Sequence, residues 1–104
     1  MDENVELGGK ISLSGFKELK PAELVVAKKL IGSYARKFAD SLENYESLHI
    51  YLKAVHKTPG SEKYEIHGKL LFNGNLKVSE VIDRNLFVAL DNVLKKLEIL
   101  SEHI

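Results

Sequence analysis

The sequence predicts a two-layer α+β sandwich of order β-α-β-β-β-α, in which a four-stranded sheet carries two helices on one face. Three observations predict it. Apolar residues recur at helical spacing in two stretches: Leu24, Ala27, Ile31, Ala35, Phe38 and Leu42, then Leu86, Leu90, Val93, Leu94 and Leu97. Strand-like stretches with a two-residue apolar/polar period stand before the first helix and between the two. Asn73-Gly74 separates the last two strand stretches, and a type I′ hairpin turn needs positive φ at both central positions, which Asn and Gly adopt most readily.

Each element follows from local chemistry. In "KISLSGF", Ile11 and Leu13 alternate with Ser12 and Ser14, the pattern of a first strand. Pro21 suits the first helical position and Glu23 suits the positive helix N-terminus, so a helix is expected from Pro21 to about Leu42. Gly32 falls mid-helix, where it costs roughly 1 kcal/mol against alanine; a close helix–sheet approach is the expected reason, with a ligand contact as the alternative. "SLHIYLKAV" sets Leu48, Ile50, Leu52 and Ala54 against His49, Tyr51, Lys53 and Val55. "HKTPGSEK" reads as a loop, with a turn at Pro59-Gly60. "YEIHGKLLF" sets Tyr64, Ile66, Gly68, Leu70 and Phe72 against Glu65, His67, Lys69 and Leu71. "LKVSEV" supplies the last strand, and Asp83 or Asn85 caps the final helix. Stacking both helical stripes on one sheet face leaves the other face in water. The polar residues Ser12, Ser14, His49, Tyr51, Lys53, Glu65, His67, Lys69, Lys77 and Ser79 are expected on that open face.

A chain of 104 residues is the size of one domain, read here as an acidic flexible arm over 1–9 and a single α+β domain over 10–104. Formal net charge is zero, so nothing global demands an anionic partner. The balance hides an asymmetry. Asp2, Glu3 and Glu6 precede a stretch in which Lys10, Lys17, Lys20, Lys28, Lys29, Arg36 and Lys37 outnumber Glu18, Glu23 and Asp40. No apolar run approaches the ~20 residues of a membrane helix, and "MDENVELGG" lacks a secretory pattern. The absence of cysteine excludes disulfide and thiolate chemistry. A cytoplasmic setting is expected.

The motifs of catalysis are missing. There is no G-x-S-x-G elbow, Walker loop or G-x-G-x-x-G. His49, His67 and Glu65 are the one set from which a zinc site or acid–base centre could be assembled, and they lack ligand spacing; surface histidines on a wet sheet account for them. Neither an enzyme nor a cofactor is expected. The basic residues carry more. The helical wheel puts Lys29, Ser33, Arg36 and Lys37 opposite the first helix's apolar stripe, with Val26 and Asp40 among them. A solvated helix face is the plain explanation; a ridge that contacts phosphates is the functional one. On the open sheet face Lys53, Lys69 and Lys77 interleave with His49, Tyr51 and His67, where bases could stack, though Glu65 dilutes the charge.

The strand order and the final helix together resemble the ribosome hibernation-promoting factor family, also called ribosome-associated translation inhibitors. The resemblance spans about Ile11 to Leu97 and is sharpest in "SEVIDRNLFVALDNVLKKL", where Asn85 stands at the cap, followed by Phe87, Ala89, Leu90-Asp91 and Lys96-Leu97. "LSGFKELKPAELVVAKKL" and "HKTPGSEKYEIHGKL" resemble the family's first strand and helix and its polar hairpin. It is to a short, divergent form, with no C-terminal dimerisation extension expected, and Glu98 and Glu102 stand where the family is usually basic. The resemblance implies a double-stranded-RNA-binding-domain-like fold. It also implies binding to rRNA in the decoding region of the small ribosomal subunit, which blocks tRNA and mRNA. By matching position, Lys28, Lys29, Arg36, Lys37, Lys95 and Lys96 are the implied RNA contacts, to which the open face adds Lys53, Lys69 and Lys77. The alternative is a protein-interaction or homo-oligomerisation module without nucleic-acid binding, using the open sheet face or the Val88/Ile99 strip of the last helix, and it leaves a homodimer open.

Overall fold

A computed structural model describes residues 5–6 and 10–102. Its elements are β1 (Val5–Glu6), β2 (Ile11–Ser14), a 3-10 turn (Phe16–Glu18), α1 (Pro21–Ser41), β3 (Tyr45–Thr58), β4 (Ser61–Phe72), β5 (Asn75–Asp83) and α2 (Leu86–Ser101). The sheet order is β1-β2-β3-β4-β5; β2 runs parallel to β3 and every other pairing is antiparallel. The expected β-α-β-β-β-α order and two-layer arrangement are therefore present, with one addition. Val5 and Glu6 lie within the stretch read as a flexible arm, yet they pair with Leu13 and Ser12. Backbone pairing carries no requirement for apolar side chains, so an acidic composition did not reveal it. The rest of that arm lies outside the described residues.

The core forms between the two helical stripes and one sheet face. Ala27, Ile31, Ala35 and Phe38 of α1 and Leu86, Ala89, Leu90, Val93, Leu94 and Leu97 of α2 are buried with Ile11, Leu13, Leu48, Ile50, Leu52, Ile66, Leu70 and Phe72 of the strands. Asn85 caps α2, its side-chain oxygen accepting from the Phe87 and Val88 amides, and the Asp83 carboxylate accepts from the Asn85 amide. Of the two expected caps, Asn85 is therefore the one that caps the helix, while Asp83 closes the turn before it.

The close approach expected at Gly32 is found at another glycine. A Cβ on Gly32 would meet nothing within 4 Å, so no close approach explains it. Gly32→Ala is expected to stabilise the fold by about 0.5–1 kcal/mol, read as a raised urea midpoint with unchanged slope. The close approach is at Gly68 of β4. A Cβ there would lie 2.6 Å from Val93 Cγ1 and 2.9 Å from Leu97 Cδ1 of α2. Its cross-strand partner is Ser79, whose hydroxyl donates to the Val93 carbonyl at 2.9 Å. Two small residues side by side let α2 settle onto the β4/β5 hairpin.

That pairing corrects the expected open face. Asn73 and Gly74 form a two-residue turn with φ of 47° and 75°, so Phe72 pairs with Asn75. Parity is then set. Lys77 pairs with Leu70, Ser79 with Gly68 and Val81 with Ile66, all on the helix side. Lys77 and Ser79 do not belong to the open face. Leu76, Val78, Glu80 and Ile82 take their place, and Leu76, Val78 and Ile82 are 58%, 55% and 57% exposed.

Candidate nucleic-acid interface

The nine basic residues singled out from the sequence do not converge on one site. Helices cover one sheet face, so the outer face of α1 and the open sheet face look in opposite directions. Lys28, Lys29, Arg36 and Lys37 lie on α1, and Lys95 lies on the outer side of α2. Lys53 and Lys69 lie on the open face, Lys77 on the helix side of β5, and Lys96 beside the β5 edge, where its Nζ donates to the Glu80 carbonyl at 3.4 Å.

Partners divide them further. At the α1–α2 seam the Lys37 ammonium pairs with Glu98 at 3.3 Å and sits 4.9 Å over the Tyr34 ring. Asp91 accepts from the Tyr34 hydroxyl at 3.1 Å through one oxygen and pairs with Lys95 at 3.0 Å through the other. Lys37 and Lys95 are thus partly neutralised by acids within the helical layer. Lys28, Lys29 and Arg36 make no ion pair with any described residue. Lys29 and Arg36 are exposed on the face of α1 turned from the core, two turns apart, roughly 10 Å along the axis. Val25 and Val26 are exposed on the same helix. Lys29 and Arg36 thus give the helical layer a positive surface without an acidic partner among the described residues, with Asp40 exposed on the same helix.

The seam has its own pH signature. Burial pushes the Tyr34 hydroxyl up to about 12, helped by its hydrogen bond to Asp91 and by the nearby Asp91 and Glu98 charges. An unfolded tyrosine ionises near ~10. The native state therefore holds this proton while the unfolded chain has lost it, and stability falls as pH rises from about 10 to about 12. Tyr34→Phe is expected to remove this alkaline component while leaving the rest of the pH profile unchanged, as followed by urea midpoints across that window.

The open face is built differently. Tyr51 stands between two histidines, with ring centroids 5.4 Å from His49 and 5.0 Å from His67. The His67 ring stacks on Tyr51 at an interplanar angle of 26°, and the His49 ring is tilted against it by 37°, so part of the Tyr51 surface is taken up within the sheet face. His49 Nε2 lies 2.9 Å from the Ser14 hydroxyl, and partial burial together with the Lys69 charge holds its imidazole below the ordinary histidine range. His67 is gripped from both nitrogens: Nε2 is 2.9 Å from Glu65 and Nδ1 is 3.4 Å from Glu80. Lys53 pairs with Glu65 at 3.6 Å, and Lys69 stands 5.8 Å over Tyr51. Tyr51 thus separates the two histidines from which a metal site could have been assembled. Glu65 and Glu80 bind opposite nitrogens of His67, a geometry that bridges the ring and does not chelate. Among the described residues no group of three or more His, Asp or Glu is placed to hold a metal ion.

On its β5 side the open face becomes apolar. A cleft of about 710 Å³ reaches from Val78 and Glu80 round the β5 edge to Lys96, Ile99 and Leu100 of α2. Sequence reasoning missed this row. The signal was available, because a core-facing Phe72 and a two-residue turn together fix which residues of the next strand face out.

The fold and surface define a small two-layer α+β protein with a basic outer helix and a half-apolar open sheet. No helix among the described residues is long and apolar enough to cross a membrane. No protein-family model matches the chain, and a search of curated proteins returns no match.

Proposed function

We propose that this chain is a non-enzymatic, cytoplasmic rRNA-binding protein that acts at the small ribosomal subunit as a translation inhibitor of the hibernation-promoting type. The carrying observation is on α1, where Lys29 and Arg36 stand on the outer face and the half-buried Lys28 on its flank, none with an acidic partner among the described residues. The resemblance of strand order and of the α2 motif points the same way. Cations left free of internal acids are the ones able to release counterions from RNA phosphates. The ion-paired Lys37 and Lys95 are secondary contacts in this reading, and Lys53, Lys69, Lys77 and Lys96 lie on other surfaces.

Sedimentation of the protein with purified small subunits through a sucrose cushion tests the reading. The expected result is co-pelleting at low salt that declines steeply as salt rises. Failure to pellet at low salt with subunits from the protein's own source would remove it.

A further inference from the structure

We propose that β5 is a self-pairing edge, through which two copies of this chain join their sheets antiparallel about a two-fold axis at Ser79. This goes beyond the rRNA reading and does not rest on it, since the α1 face is elsewhere on the surface.

The first support is the backbone. The Asn73-Gly74 turn makes Asn75, Lys77, Ser79, Val81 and Asp83 the β5 residues that exchange hydrogen bonds with β4. The amides and carbonyls of Leu76, Val78, Glu80 and Ile82 therefore point out of the sheet. The Glu80 carbonyl does so visibly, because Lys96 reaches it at 3.4 Å. Edges of this kind are templates for another strand unless charge, proline or a bulge blunts them. β5 has no proline and no register shift against β4, and three of its four outward-bonding residues are apolar.

The second support is self-complementarity. With Ser79 on the axis, Leu76 faces Ile82 of the second copy and Val78 faces its Glu80. These are bonded pairs, since all four residues have outward backbone groups. Each exposed Leu76 and Ile82 is then covered by the other, from both chains. Lys69 lies across from Val78 within the chain, so Lys69 and the second copy's Glu80 flank the same valine and their opposite charges meet above it. Sliding the axis to Glu80 would oppose two like charges, and sliding it to Val78 would set Leu76 against Glu80; both forfeit the match. On the helical side the added strand turns Lys77, Ser79 and Val81 toward the cleft that Ile99 and Leu100 line, and Val81 is the residue that meets them with apolar surface. The Lys96 ammonium moves off the Glu80 carbonyl when a backbone amide replaces it.

The chain contains no cysteine, which makes a register test clean. Leu76→Cys and Ile82→Cys proteins are prepared separately, mixed, and treated with a short bismaleimide. The expected result is a crosslinked dimer in the mixture, well above either variant alone, because position 76 meets position 82 of the other copy. Sedimentation velocity of the unmodified protein is expected to show a mass that doubles with concentration. Val78→Lys is expected to abolish both signals while keeping the native melting curve. A mass that stays monomeric up to millimolar chain, or equal crosslinking in the single variants and the mixture, would overturn the proposal.

Discussion

Gly68→Val is expected to lower the melting temperature by on the order of 10–20 °C. A valine there gains strand propensity of at most ~1 kcal/mol. It must also place a Cβ 2.6 Å from Val93 Cγ1 and 2.9 Å from Leu97 Cδ1, with Ile50 Cδ1 at 3.1 Å. Val93, Leu97 and Ile50 are fully buried, so none can swing into solvent. Overpacking of this kind costs about 1–3 kcal/mol for small insertions and more when a helix must be pushed off its sheet. The steric cost therefore wins, and each kcal/mol moves the midpoint of a domain this size by about 4–8 °C. Gly68→Ala is the graded control, expected to fall between wild type and Gly68→Val. Thermal unfolding followed by circular dichroism reads all three. An unchanged Gly68→Val midpoint would mean that α2 does not rest on β4 as described.

The second large effect is on binding. Lys29→Glu with Arg36→Glu is expected to weaken association with the small subunit on the order of a hundredfold at low salt. Each phosphate contact contributes a slope of about −0.7 to −0.9 in log K against log salt, so two lost contacts also flatten that slope by about 1.4–1.8. Both side chains are exposed and unpaired among the described residues, so the melting curve should scarcely move. Lys37→Glu makes a useful contrast. It sets two acids against each other at the Glu98 contact, and its effect should show in stability as well as in binding.

Much of this architecture was legible in the sequence because it depends on local periodicity. Both helical stripes, the Asn73-Gly74 turn, the Asn85 cap, and the alternation of β4 and of β3 from Leu48 to Leu52 each needed only a few neighbouring residues; beyond Leu52 a register shift against β4 interrupts the expected β3 alternation. What failed depended on pairing. Lys77 and Ser79 look like outward polar residues of an amphipathic strand, yet the turn's parity turns them toward α2 and exposes Leu76, Val78 and Ile82. Gly32 and Gly68 were both visible, but only packing distinguishes a glycine beside empty space from one under a helix. The β1 pairing of Val5 and Glu6 left no trace in composition.

The candidate site shows the same division. The charges themselves, and the (i, i+4) pair of Asp91 with Lys95, can be read from spacing. The Lys37–Glu98 pair joins two helices far apart in sequence, and the grip of Glu65 and Glu80 on His67 depends on strand register. Those contacts divide the nine candidate bases into three on α1 with no acidic partner among the described residues and six that are engaged or face elsewhere.

The most direct measurement sets the two basic surfaces against each other on one purified small subunit. Lys29→Glu with Arg36→Glu, and separately Lys53→Glu with Lys69→Glu, are titrated beside wild type at low salt. The α1 pair is expected to lose binding while the open-face pair stays within a fewfold of wild type. Equal binding by wild type and the α1 pair, with loss confined to the open-face pair, would contradict that expectation.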